Sequence, residues 1–412
     1  MLLTKLSEAF LRSAAYERRF LAKNPWDLSM VLWIPLLTVL LIWWIFSQTQ
    51  ITDLPIGVID QDNSPVANTA VRYLEASPTL TVKQLYYSQA DAEAAILQRD
   101  IYAVVIIPED FSRNILSNKP SPLILQVNAQ YGTHSGIIQT AVQTVASTLS
   151  AGVEIKRLVK QGVASSQVMT AYSPISIQRI SLFNAATNYQ QFLASTVIPA
   201  LLHILAMVVG ATTIGRELRD KNIGRWYRFI STKNTALTDS AKSPRTVSLS
   251  VLLFGLLGKY FWPILAYSLW SALTLWFVTA NQSISLMSLL TVYIGLLCLM
   301  ILSFWLGAIF TLNTFSLRMG LSTTGFISAP SYAFAGVTFP YIAISDSAQY
   351  WSNALPLTHY LKLHIAQLQM YAPIAISVPI VYGLALATII AMLLTALLTK
   401  RALAHPERWG AR

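Results

Sequence analysis

Long apolar runs alternate with polar stretches along this chain, and several runs are long enough to cross a lipid bilayer. A spanning helix needs about 20 predominantly apolar residues. Six segments approach or exceed that length: 28–46, 192–214, 260–280, 284–312, 321–339 and 374–398. Pro330, Gly336 and Pro340 lie in or directly after the fifth run. The pattern therefore predicts six membrane spans, of which the fifth is broken.

The third apolar run is longer than one bilayer requires. It extends over Val247–Ala280, and Gly258-Lys259 interrupts it with a glycine and a charge. Charged side chains are usually found at the ends of a span, not within it. We therefore expect an interfacial helix before Lys259 and a spanning helix from Tyr260 onward.

The first 27 residues show the spacing of an amphipathic helix. Basic residues lie between apolar residues that recur at steps of three and four. These apolar residues are Leu2, Leu3, Leu6, Phe10 and Leu11. This pattern is typical of a helix that lies along a membrane surface. The span that follows lacks the small-residue cleavage site of a signal peptide. We expect an uncleaved anchor with its N-terminus in the cytoplasm.

Residues 48–190 have a different pattern, in which short β-branched segments alternate with helical ones. Strands are expected at 55–59, 80–85, 102–107 and 123–127, and helices at 65–76, 89–98, 109–116 and 132–162. Ser64 followed by Pro65 is a typical helix start, with Ser64 as the N-cap. The alternation predicts a small α/β domain. A single span separates it from the N-terminus, so we expect it on the far side of the membrane.

Gly215–Lys259 is the one long basic interruption in the apolar second half. It holds eight Lys and Arg residues against three acids up to Arg245. A short basic loop between spans is retained in the cytoplasm. With the N-terminal helix, Arg318 and the C-terminal tail, this side collects 18 of the 29 basic residues. The charge distribution predicts that both termini are cytoplasmic.

These patterns divide the chain into consecutive segments. They are an interface helix at 1–27, the first span at 28–47, the outer domain at 48–190, the second span at 191–214, a cytoplasmic loop at 215–258, four further spans within 259–399, and a cytoplasmic tail at 400–412.

Composition supports a membrane location and excludes several classes of function. Of the 412 residues, 54% are hydrophobic and 11% are charged, whereas a soluble domain carries about a quarter charged residues. The net charge of +11 lies at span edges, where orientation and anionic lipid explain it. We expect contact with membrane lipid and none with nucleic acid. A single cysteine, Cys298, excludes an intrachain disulfide.

Motifs for catalysis and for nucleotide binding are missing from the sequence. It contains no His-Glu-x-x-His, Cys-x-x-Cys or Gly-x-Ser-x-Gly. Leu253 stands where a phosphate-binding loop ending in Gly258-Lys259 would need glycine. We therefore expect no catalytic residue, no metal and no cofactor in this chain. It is not expected to be an enzyme.

Two isolated features invite a chemical interpretation. Asp60-x-Asp62 resembles the start of a calcium loop, but the glycine and the distal glutamate of that motif are missing, which favours a turn that caps a helix. His203 lies within the second span, where ionisable groups often mark proton pathways. We expect it to be hydrogen-bonded to a neighbouring helix instead.

The order and spacing of several motifs resemble an ABC-2 type transporter permease. The motifs are Pro-x-Gly-Val-Ile-Asp-x-Asp-x-Ser-Pro at 55–65, Val-Ile-Ile-Pro-Glu-Asp-Phe-Ser at 105–112, Gly-Arg-Glu-Leu-Arg at 215–219, Leu-Leu-Gly-Lys at 256–259, Phe-Ala-Gly-Val-Thr-Phe-Pro at 334–340 and Leu-Pro-Leu-Thr-His-Tyr at 355–360. The chain is similar to the subgroup with a large extracytoplasmic domain between the first two spans, found in bacterial multidrug and polymer export. The resemblance implies an α-helical integral membrane protein of the ABC-2, or type V exporter, fold with an inserted α/β domain.

The resemblance also implies a function and a set of partners. It implies the permease subunit of an ATP-binding cassette exporter in the bacterial inner membrane, moving a hydrophobic, amphipathic or polymeric substrate outward. The implied partners are two copies of a cytoplasmic ATPase, which carry ATP and Mg, and a second permease copy or paralogue. A periplasmic adaptor is left open.

In that family, the segment after the second span is a coupling helix that docks in a groove of the ATPase. It maps to Asp220–Ile230. The expected ATPase contacts are its aromatic and charged residues and the preceding acid: Glu217, Arg225, Trp226, Tyr227, Arg228 and Phe229. The rings would fill the groove and the arginines would pair with acids around it. The alternative is a loop whose rings rest on lipid headgroups.

The resemblance further implies short re-entrant helices at the outer end of the fifth span. They would lie within residues 334–372, with turns and helix starts at Gly336, Phe339, Pro340 and Pro356.

Two other functions stay open at this point. One is a membrane receptor that does not transport, in which the outer domain senses a ligand and the basic loop relays the signal. The other is a secondary transporter driven by an ion gradient.

Overall fold

The computed structural model describes residues 2–117, 119–162, 182–184, 187–231 and 247–410. The chain divides into two compact units. The larger unit comprises Met1–Thr49 and Leu182–Arg412, and the smaller comprises Gln50–Ser181.

Three helices open the larger unit: α1 (Leu2–Lys23), α2 (Pro25–Val31) and α3 (Trp33–Ile45). Pro25 starts α2 at the position where a missing N–H is harmless. α2 and α3 meet at an angle of 41° and together are long and apolar enough for one span.

α1 is amphipathic as expected, but its buried face differs from the leucine pattern in the sequence. The side chains at 0–7% exposure lie at Leu6, Ala9, Ser13, Ala14, Glu17 and Leu21, whereas Leu11 is 63% exposed. α1 packs along the candidate span Leu249–Thr279, and the small residues on this face permit a close approach.

The described residues of the smaller unit form a four-stranded sheet with four helices, which confirms the expected alternation of strands and helices. Its elements are β1 (Leu54–Asp60), α4 (Pro65–Glu75), β2 (Leu80–Leu85), α5 (Gln89–Leu97), β3 (Ala103–Ile107), α6 (Phe111–Leu116), β4 (Ile124–Val127) and α7 (Gly132–Lys160). The strand order is β2-β1-β3-β4, parallel except for the antiparallel pair of β3 and β4. α4, α6 and α7 cover one face with apolar residues.

The hydrogen bonds in the turn after β1 confirm that this segment is a turn that caps a helix. The Ser64 hydroxyl oxygen accepts the Ala67 N–H at 3.1 Å, and Asp60 accepts the backbone N–H of Asp62. The Asp62 carboxylate accepts hydrogen bonds from the N–H and hydroxyl of Ser112. Burial acts to raise the pKa of Asp62, but its hydrogen bonds outweigh burial and lower it. No cluster of His, Cys, Asp and Glu that could hold a metal occurs among the described residues.

The other elements described in the larger unit are helices. They begin with a π-helical turn (Gln190–Ala194) and continue with α8 (Ser195–Arg219), α9 (Ile223–Ser231), α10 (Leu249–Thr279), α11 (Leu286–Thr314), α12 (Leu317–Ser328), α13 (Ser331–Phe334), α14 (Asp346–Ala354), α15 (Pro356–His364), a second π-helical turn (Ile365–Gln369) and α16 (Ile374–Ala404). Short 3-10 turns occur at Tyr341–Ala343 and Pro406–Arg408.

The number of spans differs from the expected six. Four described helices are long and apolar enough to cross a membrane: α8 with its π-helical turn, α10, α11 and α16. α2 with α3 would make a fifth. The segment expected at 321–339 is not one helix, because α12 ends at Ser328 beside Pro330 and α13 ends before Gly336, whose φ is +77°. The described residues therefore contain four or five candidate spans.

The expected break at Gly258-Lys259 is wrong. α10 runs without interruption from Leu249 to Thr279. Gly258 allows a close contact between two helices and does not mark the end of a helix. A Cβ atom at Gly258 would fall within 3.0 Å of the Phe10 carbonyl oxygen on α1.

Two glycines bring α8 and α11 into backbone contact. A Cβ atom at Gly210 would lie within 3.0 Å of the Phe304 carbonyl oxygen, and one at Gly307 within 3.0 Å of the Met207 carbonyl oxygen. Small residues commonly permit such crossings between membrane helices. In the same interface, His203 Nδ1 lies 2.6 Å from the Ser303 hydroxyl oxygen, which confirms the expected hydrogen bond to a neighbouring helix.

We predict that Gly307→Ala lowers the stability of the fold. The added methyl group has no room at the α8–α11 crossing, and overpacking of this kind typically costs about 1–3 kcal/mol. The measurement is heat-induced loss of folded protein in detergent. Gly383→Ala is the matched control, because a Cβ at Gly383 on α16 meets nothing within 4 Å. Equal midpoints for the two variants would contradict the packing role of Gly307.

Candidate functional site: a buried charge cluster

Five charged side chains from four helices of the larger unit meet in its interior. They are Glu17 on α1, Asp27 on α2, Arg216 and Glu217 on α8, and Lys259 on α10. We refer to these five residues as the charge cluster. The side chains of Glu17 and Lys259 are 0% exposed, and only Asp27, at 26%, has substantial contact with solvent.

Lys259 holds the centre of the cluster. Its ammonium group donates to Glu217 Oε1 at 2.8 Å and to Glu17 Oε2 at 3.2 Å. It also lies 4.9 Å from the ring centroid of Tyr16 and 5.5 Å from that of Trp226. Aromatic faces attract a cation at this range. The ammonium group is therefore paired with two carboxylates and flanked by two rings.

Arg216 pairs with the second carboxylate oxygen of Glu17. It donates through Nη2 to Glu17 Oε1 and through Nη1 to Asp27 Oδ1, the latter at 3.4 Å. Its guanidinium carbon lies 3.8 Å from the centroid of the Phe20 ring. The two oxygens of Glu17 thus bind two different cations, which links α1 to both α8 and α10.

The cluster contains one more carboxylate than cation, and other donors help to balance it. Tyr16 donates its hydroxyl to Glu217 Oε2 at 3.4 Å. Burial and the negative charge of Glu217 both raise the pKa of Tyr16, so the hydroxyl stays protonated and remains a donor. A buried charge is tolerated only when it is paired in this way.

Gly258 allows α1 to approach α10 closely enough for Glu17 to reach the interior of the larger unit. α1 packs against α10 at Gly258, next to the Phe10 carbonyl group and the Ser13 side chain. Glu17 lies about two helical turns beyond Phe10 on the same face. Trp262 fixes the contact further by donating its indole N–H to the Ala14 carbonyl oxygen at 2.9 Å. The position of Glu17 follows from this close packing.

α9 is attached to the cluster by its own apolar face. Its buried apolar residues are spaced at i, i+3, i+4 and i+7: Ile223, Trp226, Tyr227 and Ile230. The Trp226 indole N–H donates to the Ser13 hydroxyl oxygen at 3.1 Å. The Tyr227 hydroxyl oxygen accepts the Ser248 N–H at 2.9 Å, and burial raises the pKa of Tyr227. α9 is thereby packed against α1 and α10.

Three of the six expected ATPase contacts are buried within this chain itself. Glu217, Trp226 and Tyr227 are at most 3% exposed and face the protein itself, so they cannot fill a partner's groove in this conformation. Phe229 is half-buried, with its ring centroid 6.1 Å from that of Tyr16. Arg225 is exposed and Arg228 is half-buried. The physical reason is the helical spacing, which turns the larger rings of α9 inward.

The other expected segment, residues 334–372, does consist of short helices. Gly336 adopts a left-handed backbone conformation, and Pro356 occupies the first turn of α15. Phe339 is 52% exposed, and Pro340 precedes a 3-10 turn. These residues do not converge with the charge cluster.

Sequence inspection missed most of the charge cluster, although a signal was present. Glu17 interrupts a stripe of small and apolar residues on α1, and Lys259 interrupts an otherwise apolar run. The sequence pattern places Glu17 in a helix expected at the membrane surface and Lys259 at an expected helix boundary. Complementary charges inside two adjacent apolar stripes would have suggested a pair.

Comparison with known protein families identifies the family to which most of the chain is similar. Residues 25–399 match the family described as ABC-2 family transporter protein, which confirms the resemblance to an ABC-2 type permease. The matched range contains Asp27, Arg216, Glu217 and Lys259, whereas Glu17 precedes it. No curated protein matches the chain.

We predict that Lys259→Met strongly destabilises the larger unit. The substitution leaves the buried Glu217 carboxylate without its cation, and breaking a buried pair in this way costs about 3–5 kcal/mol. The readout is heat-induced loss of folded protein in detergent. Adding Glu217→Gln removes the unpaired charge and should restore part of the loss.

Lys83→Met is the control for this prediction. Lys83 forms an ion pair with Asp100 at 2.9 Å, but both side chains are about half exposed, so its loss should cost about 1 kcal/mol or less. If Lys259→Met were as mild as Lys83→Met, or if the effects of Lys259→Met and Glu217→Gln simply added, the charge cluster would not hold the helices together.

Proposed function

The chain belongs to the ABC-2 family of transporter proteins, multi-pass membrane components that normally work with a cytoplasmic ATPase, and on that premise we propose that it is the permease subunit of an ATP-driven exporter. The charge cluster carries this proposal. It connects α9, the helix at the expected docking position, to two candidate spans, α8 and α10.

The docking surface we propose is the outward side of α9 together with the turn between α8 and α9. Arg219, Asp220, Lys221 and Arg225 are exposed there, and Arg219 pairs with its neighbour Asp220 at 2.8 Å. Lys221 and Arg225 would meet acidic residues at the rim of an ATPase groove. Complementary charge at such a rim favours specific and rapid association.

The transmission of movement follows from the buried charges. Pulling Lys259 away from Glu17 or Glu217 would leave charges unpaired in the interior, at a cost of about 3–5 kcal/mol. Moving α1, α8, α9 and α10 together avoids that cost. A push on α9 from an ATPase would therefore displace the inner ends of both candidate spans as one body.

The full assembly in this proposal has two permeases and two ATPase subunits. Symmetry favours two identical permeases, and a paralogous pair would satisfy the same geometry. ATP and Mg bind to the ATPase subunits. Both termini of the permease are cytoplasmic in a bacterial inner membrane, and the α/β unit is periplasmic, where it meets the substrate or an adaptor. The substrate is hydrophobic, amphipathic or polymeric.

We predict that Lys221→Glu combined with Arg225→Glu weakens association with the ATPase roughly tenfold or more, because like charges would then face each other across the interface. Both side chains are exposed, so the fold should be unaffected. The measurement is the affinity of the purified permease in lipid nanodiscs for the ATPase co-expressed with it, together with the stimulation of ATP hydrolysis.

Arg318→Glu is the matched control, since Arg318 is an exposed cation on α12 outside the proposed surface. An unchanged affinity in the double variant, with Arg318→Glu equally neutral, would exclude this docking surface. Transport that stops when the proton gradient collapses at constant ATP would favour a secondary transporter. A complex that hydrolyses ATP without moving any substrate would favour a receptor.

A further inference from the structure

A second site lies at the opposite end of α8 from the charge cluster. It is a cavity of about 370 Å³ in the larger unit, next to Gln190 and Gln191 in the first π-helical turn. Arg216 follows Gln190 by 26 residues of continuous helix, or roughly 39 Å at 1.5 Å per residue. The cavity is therefore a separate site.

The lining of this cavity is polar but uncharged. Half of its lining residues are asparagines or glutamines. Among them are Asn188, Gln190, Gln191, Asn281, Gln282 and Gln369. Four aromatic rings, among them Trp43 and Tyr371, complete most of the wall. Among the described residues that line it, none carries a charge.

Both π-helical turns of the larger unit contribute to the wall. Single π-helical turns are rare and often mark functional sites. Gln369, in the second turn, donates to the Gln191 carbonyl oxygen at 2.9 Å and to the Ser195 hydroxyl oxygen at 3.0 Å. This fastens the two turns together. The shape of the cavity is thus held by hydrogen bonds between its own walls.

The side-chain nitrogens of Gln190 and Gln191 are engaged by the protein, but the side-chain oxygens of Gln191 and Gln282 are not. Gln190 donates to the Trp43 carbonyl oxygen and Gln191 to the Val278 carbonyl oxygen. The side-chain oxygens of Gln191 and Gln282 are buried and accept no hydrogen bond from any described residue. A buried acceptor is normally paired. Both oxygens belong to residues that line the cavity, and only an N–H or O–H donor can pair with them.

The lining also determines which ligands would be disfavoured. A charged group entering the cavity would lose its hydration and meet no opposite charge. Aromatic rings favour apolar frames and ring faces. We propose that the cavity binds an uncharged ligand group that carries O–H or amide N–H donors on an apolar frame. The proposal does not depend on export, and no ATPase is needed to test it.

The test uses a single-cysteine reporter in lipid nanodiscs. Cys298→Ala removes the one native thiol, and Asn281→Cys places a thiol on the exposed rim of the cavity. The rate of modification by N-ethylmaleimide is measured with octyl β-D-glucoside, N-octylacetamide, octyl sulfate, octyltrimethylammonium or octyl methyl ether, each below its micellar concentration. The shared octyl chain equalises the apolar part of the probes.

We expect octyl β-D-glucoside, N-octylacetamide or both to slow labelling at least threefold and saturably. The two charged probes and the donor-free ether should leave the rate within a factor of 1.5 or so. Protection by the glucoside alone would identify a hydroxylated group as the ligand class, and protection by the acetamide alone would identify an amide. Equal effects of all five probes, or no effect of either neutral donor, would overturn the proposal.

Gln282→Met tests the acceptor directly, because methionine keeps the side-chain length and removes the amide. We expect it to abolish protection by the neutral donors while the protein stays folded and Asn281→Cys stays reactive. Gln98→Met, at an exposed position in the smaller unit, is the matched control and should retain protection. Full protection in Gln282→Met would show that its amide oxygen does not bind the probe.

Discussion

Lys259 lies inside the protein with no exposure to solvent, and the larger unit is arranged around the need to neutralise it. Glu217 from α8 and Glu17 from α1 supply the carboxylates, and Arg216 binds the second oxygen of Glu17. A charge removed from water is tolerated only with partners at hydrogen-bonding distance. This requirement ties an N-terminal helix to two candidate spans through specific pairs of atoms, in addition to apolar packing.

The same requirement explains other features of this end of the molecule. Gly258 has no side chain because α1 must approach α10 closely enough for Glu17 to reach Lys259. Trp226 faces inward, where it donates to Ser13 and flanks the ammonium group. The far end of α8 has the opposite chemistry, since the cavity there is lined by amides and rings without charge. One helix therefore connects a buried, charged end to a neutral, hydrogen-bonding end.

Local sequence signals were sufficient for most secondary structure and for the family. The strands of the smaller unit begin and end within one residue of their expected bounds, because β-branched runs between turn residues specify strands locally. Ser64 and Pro65 marked a helix start that the structure confirms. The apolar runs identified the long helices α8, α11 and α16, and the motif order identified the ABC-2 family. Each strand, apolar run and motif is defined by residues that are close together in the chain.

The errors and omissions concern contacts between distant residues. Glu17 and Lys259 are 242 positions apart, and the sequence does not show that the two apolar stripes which they interrupt lie against each other. Lys259 suggested a helix boundary because a lone charge in an apolar run normally lies at an interface, and only the approach of α1 and α8 makes its burial possible. The inward direction of Trp226 likewise depends on a surface supplied by α1. The sequence by itself determined which segments are strands, apolar helices and basic turns, because these depend on local residue type. Only the tertiary structure decided which charges are buried together, because burial is set by neighbours that the chain brings from far away.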